Sequence, residues 1–231
     1  MTAALIAGCT LAGFAVGAMA GVAVERVPQK VRVFAGPFPE PARWVRQPLG
    51  VLVTVGTGAL FGATAARFED NWALPAYLVL MAGLVVLSLI DLRTHLLPNR
   101  IVYPLTVAVT ALLALAALID GRGGTYGRAL LAGLVAFFAF LTLHLIAPGG
   151  LGFGDVKLSF VLGLTLGWLG WGELAVGLFL AFAYGAVIGI ALIATKVRGR
   201  KDPVPFGPFL AAGATVAILA GSPILHWYRS P

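Results

Sequence analysis

Long apolar runs separated by short polar segments recur along the whole chain. They cover residues 2–24, 48–66, 75–92, 99–119, 127–147, 155–170, 172–196 and 206–227. Crossing a hydrocarbon core as a helix takes about 20 mostly apolar residues, and these runs approach or reach that length. Lipid offers no hydrogen-bond partners, so a backbone that crosses it must satisfy itself. The runs therefore predict helices. The sixth is short and rich in glycine, with Gly163, Gly167 and Gly170. The predicted fold is all-α, a polytopic membrane helix bundle of about eight transmembrane helices. Small residues let membrane helices approach closely, and the abundant glycine predicts a tight bundle.

Basic residues set the orientation. With the N-terminus outside, the cytoplasmic segments hold Arg26, Lys30, Arg32, Arg43, Arg46, Arg93, Arg100, Lys157, Lys196, Arg198, Arg200 and Lys201. The outside segments then hold Arg67, Arg122, Arg128 and Arg229. Cytoplasmic loops carry the Lys/Arg excess, so twelve against four predicts both termini outside. No Lys or Arg precedes the first run, and charges follow it at Arg26, Lys30 and Arg32. That order predicts an uncleaved first helix in place of a signal peptide. The longest hydrophilic segment, 25–47, contains Pro28, Pro37, Pro39 and Pro41 and reads as an extended cytoplasmic tether.

Composition agrees. Of the 231 residues, 60% are hydrophobic and 11% charged, and the mean hydropathy is +0.97. Soluble domains carry about 25% charged residues, so an ordinary soluble enzyme, a disordered chain and a disulfide scaffold are excluded. The net charge of +7 would suggest nucleic acid in a soluble protein. Here the cations lie in loops between apolar runs, and the lipid bilayer is the partner they imply, with no nucleic acid. The single cysteine, Cys9, allows no intrachain disulfide and no zinc cage.

Charge at membrane depth is costly and marks function. Of nine acids, Glu69, Asp70, Asp120 and Glu173 fall in outside loops, and Glu25, Glu40 and Asp202 in cytoplasmic ones. Asp91 and Asp155 differ. Asp91 ends the run Leu84 to Ile90, and Asp155 follows Gly152-Phe153-Gly154. The assigned topology places both at cytoplasmic helix ends, at similar depth. Two carboxylates held close cannot both ionise easily, so they share a proton. Such a pair can activate water with one member and polarise a carbonyl with the other. Taken singly, each has a plainer reading: Asp91 as a helix-end acid beside Arg93, Asp155 as a helix N-cap. Gly152 and Gly154 leave the backbone bare beside Asp155, which suits close approach of a substrate strand. No His, Cys, Asp or Glu cluster has metal-ligand spacing, so no metal site is predicted. His95, four residues after Asp91, is open to either a site role or a helix-end role, and His144 is expected to hydrogen-bond within the bundle.

Gly152-Phe153-Gly154-Asp155-Val156-Lys157 resembles the G-x-G-D-x-K signature of the type IV prepilin peptidases. Asp91 with Pro98-Asn99 resembles their first aspartate block, and Pro205-Phe206-Gly207-Pro208-Phe209 a third. The resemblance covers roughly 80–231. It implies a GxGD-type intramembrane aspartic endopeptidase of the prokaryotic cytoplasmic membrane, with Asp91 and Asp155 as the catalytic pair. Such enzymes cut the leader from type IV prepilins and pseudopilins on the cytoplasmic side, in the setting of pilus or secretion machinery. Gly152 and Gly154 would shape the site, Lys157 would position substrate or anchor the helix, and Pro205, Phe206 and Gly207 would form a broken helix entry. One integral-membrane domain, 1–231, is expected, with its catalytic core over 75–231. Helix dipoles favour a carboxylate at an N-terminus and disfavour one at a C-terminus, so Asp155 is expected to be the ionised base and Asp91 the protonated acid.

Many members of that family also methylate the product with S-adenosylmethionine and carry two Cys-x-x-Cys pairs in the first cytoplasmic loop. There is no cysteine between residues 25 and 47 here, which argues against methyl transfer, and no other cofactor is expected. Two further readings of the aspartates stand beside the peptidase. One is an ion- or proton-coupled transporter, disfavoured by the helix-end placement. The other is a noncatalytic assembly subunit, disfavoured by the intact pair.

Overall fold

The computed structural model describes residues 2–26, 45–69, 71–147, 150–196 and 205–229. Most of the 25–47 tether, and the cations from Arg198 to Lys201, lie outside them. Eight long helices follow one another: α1 (Thr2–Arg26), α2 (Pro48–Arg67), α3 (Leu74–Thr94), α4 (Asn99–Ile119), α5 (Gly123–Ile146), α6 (Phe153–Leu169), α7 (Trp171–Ala194) and α8 (Gly207–Arg229). The expected all-α bundle is what forms. Seven of these helices are long and apolar enough to cross a membrane.

Proline sets several helix starts. Pro48 opens α2, Pro75 lies in the first turn of α3, and Pro98 caps α4 in an extended conformation. A missing N–H costs nothing there, because the first turn has no partner for it. Inside the helices, the hydroxyls of Thr10, Thr54, Thr57, Thr64, Thr106 and Thr142 each bond the carbonyl four residues back. Each polar group is thus satisfied within its own helix.

The exception among the eight is α6, with 17 residues. It forms the centre of the bundle: twelve of its residues are buried, against three in the 24-residue α7. Its glycines explain how. A Cβ at Gly163 would lie 2.7 Å from the Ala132 carbonyl and 2.9 Å from Gly133 Cα on α5. The glycines that make the run look weak as a helix are therefore the surface on which α5 packs. At its C-terminal end, Arg128 of α5 donates to the carbonyls of Gly167 and Trp168 at 2.9 and 2.8 Å, satisfying groups that the helix end leaves open. Tyr77 of α3 donates to the Thr165 carbonyl at 2.8 Å. These bonds fix α6 against α3 and α5, with its N-terminus facing the end of α3.

Candidate active site

Asp91 lies in the last turn of α3 and is 4% exposed. The helix stops when His95 turns left-handed, with φ 53°, and its N–H donates to the Asp91 carbonyl at 2.8 Å. His95 is thereby a helix-end residue. The chain then reverses through Leu96, Leu97 and Pro98 into α4. The Asp91 carboxylate is met by a segment far along the chain: Gly207 donates its N–H to Oδ2 at 3.0 Å. Gly207 is the first residue of α8, so the donor is one of the N–H groups that a helix start leaves unpaired. A Cβ at 207 would stand 2.7 Å from that same Oδ2, so only glycine allows the approach.

Asp155 is held locally. The N-cap of α6 is Gly152, with φ −70° and ψ 144°, and Asp155 is the third helical residue. This corrects the reading of Asp155 as the cap itself: its side chain reaches back to the cap. Oδ2 accepts the Gly152 N–H at 3.1 Å, while the Asp155 N–H donates to the Gly152 carbonyl at 3.0 Å. The side chain is 6% exposed, and its other oxygen, Oδ1, has no hydrogen-bond partner among the described residues. A buried carboxyl oxygen with unused bonding capacity is unusual and needs a reason.

Leu97 joins the two halves. A Cβ at Gly154 would lie 2.7 Å from Leu97 Cβ, and one at Gly207 would lie 3.4 Å from Leu97 Cδ2. The α3–α4 turn is therefore wedged between the starts of α6 and α8. Both aspartates thus sit around one side chain: Gly154, next to Asp155, and Gly207, the donor to Asp91, both pack on Leu97. The helix-dipole argument for unequal roles loses its basis here. It assigned Asp91 only the unfavourable end of α3, whereas the N-terminus of α8 also points at Asp91.

The remaining residues singled out in the sequence fall into place around this pair. Phe206, just before α8, accepts N–H bonds from Phe209 and Leu210 at 3.0 and 3.1 Å. Its ring packs 5.2 Å from Phe182 and 6.4 Å from Phe140, tying the entry of α8 to α7 and α5. Pro205 precedes it, and both lie in irregular backbone before α8. Lys157 donates from Nζ to Asn99 Oδ1 at 2.8 Å and lies over the rings of Phe153 and Tyr103 at 4.7 and 5.2 Å. The lysine thus braces α6 to the start of α4. Two residues went unnoticed as neighbours of the site: Leu97, which lies inside the Asp91 to Asn99 block, and His144, whose expected hydrogen bond reaches the Leu151 carbonyl just before α6.

Two buried carboxyl groups gathered around Leu97, each steadied by a glycine N–H, have the arrangement that a pair holding one proton between them requires. No group of three His, Cys, Asp or Glu able to hold a metal occurs among the described residues.

A family model described as the type IV leader peptidase family matches residues 78–192, a stretch that includes both aspartates. The prepilin leader peptidase/N-methyltransferase of Aeromonas hydrophila is 34% identical over 184 residues, 77% of this chain and 60% of its own length. The protein of that name from Burkholderia pseudomallei (strain K96243) is 35% identical over 189 residues, 78% of this chain and 59% of its own. That of Bacillus subtilis (strain 168) is 35% identical over 173 residues, 74% of this chain and 66% of its own. The chain thus spans about 60% of the length of the first of these curated relatives. No solved structure matches it with comparable significance. Nothing in these comparisons supports the transporter or the noncatalytic subunit.

Proposed function

The chain belongs to the type IV leader peptidase family, and on that premise we propose that it is an aspartic endopeptidase of the prokaryotic cytoplasmic membrane. It removes the leader peptide from type IV prepilins or pseudopilins on the cytoplasmic side, with both of its termini outside. Residues 75–231 supply the catalytic core of a single membrane domain.

The observation that carries this reading is the pair of buried carboxyl groups, with Asp155 Oδ1 left without a partner among the described residues. The ionised member takes a proton from water as the water oxygen bonds to the scissile carbonyl carbon. The protonated member gives its proton to the carbonyl oxygen. When the tetrahedral intermediate collapses, the C–N bond breaks and a proton passes to the leaving nitrogen, releasing an amine and a carboxyl end. Gly152 and Gly207 keep both carboxylates oriented throughout, at no reorganisation cost.

Methyl transfer appears in the relatives' name, but it forms no part of this proposal. The loop that carries cysteine pairs in many family members has none here.

Incubating the purified protein in detergent with a prepilin is expected to give a shortened product. Asp91→Asn and Asp155→Asn should each reduce cleavage by about 10²–10⁴-fold or more, the range of general acid–base catalysis, while the protein stays folded. Cleavage by either variant at the wild-type rate removes the dyad assignment. With S-adenosylmethionine added, mass spectrometry should find the new N-terminus unmethylated; a stoichiometric methyl group overturns that part.

A further inference from the structure

His144 lies in the last turn of α5, half-buried, and its Nδ1 is 2.7 Å from the Leu151 carbonyl oxygen. A carbonyl can only accept, so Nδ1 carries the proton and donates it. The Leu151 carbonyl and the Gly152 N–H belong to one peptide group. That same N–H donates to Asp155 Oδ2 at 3.1 Å. The imidazole, the 151–152 peptide and the carboxylate therefore form a single hydrogen-bonded chain. Pull on the carbonyl oxygen polarises the peptide and makes its N–H a better donor, an effect that grows where water is excluded. The ring is also fixed from the side by Phe153, with centroids 5.7 Å apart.

We propose that His144 is a positioning residue of the cleavage site, acting through the 151–152 peptide to orient the Asp155 carboxylate so that Oδ1 faces the reacting atoms. This rests on the peptidase reading given above. Neither the G-x-G-D block nor the other motif blocks contain this residue. Its effect is electronic and geometric at once. It stops the loop before α6 from rotating the Gly152 N–H away, and it strengthens the bond from Gly152 that holds Asp155.

Two variants separate positioning from packing. His144→Phe keeps a ring of similar size but donates nothing. His144→Asn places an amide N–H where Nδ1 stood. In the prepilin assay, His144→Phe should lower kcat roughly tenfold, the worth of one hydrogen bond in a shielded site, with KM within about twofold. His144→Asn should recover most of that loss. A second readout needs no activity: the amide proton of Gly152 in ¹⁵N-glycine-labelled protein, assigned by its loss in Gly152→Ala. It should move upfield in His144→Phe and return towards the wild-type position in His144→Asn. The proposal is overturned if His144→Phe leaves kcat and the Gly152 shift unchanged, or if Phe and Asn variants lose kcat alike. If the wild-type protein cuts no prepilin, the function proposal fails, and the Gly152 shift alone decides whether the relay exists.

Discussion

Asp155 and Asp91 receive the same kind of support from opposite sources. Each gives its Oδ2 to a glycine N–H at the beginning of a helix, at 3.1 and 3.0 Å. For Asp155 the glycine is three residues upstream, at the cap of its own helix. For Asp91 it is 116 residues downstream, on a different helix. The first arrangement closes as soon as one helical turn forms. The second exists only when α8 is docked against the end of α3. The pair is therefore half local and half tertiary, and the tertiary half is where a small change should do most damage.

Gly207→Ala attacks that half directly, and among single glycine changes it should have the largest effect on cleavage. The new methyl group would stand 2.7 Å from Asp91 Oδ2. Something must move, and the mobile partner is the far end of the Asp91 side chain. The fold gives way cheaply, while the carboxylate leaves its place. A misplacement of about 1 Å in a catalytic group can cost on the order of 10²-fold in rate, and a loss of that size in kcat is expected. The thermal midpoint should stay near that of the wild type. A variant that cleaves at the wild-type rate would show that Asp91 does not depend on α8.

The same division explains what could be read from the sequence. The helices were legible because the runs are apolar and all but the sixth are long, and lipid leaves helices as the way to satisfy the backbone. Asp155 was legible because Gly152, Gly154 and Lys157 surround it within six residues. The third block, Pro205 to Phe209, was visible as a block but not as the donor to Asp91, since nothing local ties residue 207 to residue 91. His144 was invisible as a neighbour of the site for the same reason. Its partner is the carbonyl of Leu151, and a backbone acceptor leaves no mark on composition. The α6 glycines cut both ways. They lower helix propensity, yet they are what lets α5 approach within contact of the central helix.

Gly154→Ala tests the seam between the two halves and should act on stability first. Its methyl group would meet Leu97 Cβ at 2.7 Å, with Cδ1 and Cγ at 3.3 and 3.4 Å. A Cβ atom is fixed to the backbone and cannot swing aside, so either the α3–α4 turn or the start of α6 must shift. Overpacking of this kind typically costs about 1–3 kcal/mol. A lowered thermal midpoint is expected, with a loss of cleavage that follows it. Gly154→Ala should cost less stability in a Leu97→Gly background, where that Cβ is gone and the collision disappears. If Gly154→Ala costs as much in that background as in the wild type, Leu97 is not the obstacle.

Gly152→Ala should have the smallest effect of the three, although it touches the best-recognised motif. Its backbone, at φ −70° and ψ 144°, suits any residue, so no strain arises from the substitution itself. The N–H that serves Asp155 remains. The added Cβ would lie 3.0 Å from Asp155 Oδ2, a separation that a shift of a few tenths of an ångström relieves. Asp155 can make that shift while keeping its bond, because donor and acceptor sit in the same helical turn. The loss in kcat should stay under about tenfold, or roughly 1.4 kcal/mol. Local support tolerates a local change; Asp91, supported across the bundle, does not. Side-by-side rates for Gly152→Ala and Gly207→Ala decide the point. If Gly152→Ala proves as damaging as Gly207→Ala while both remain folded, the bare backbone at 152 serves the substrate strand and not only the Asp155 carboxylate.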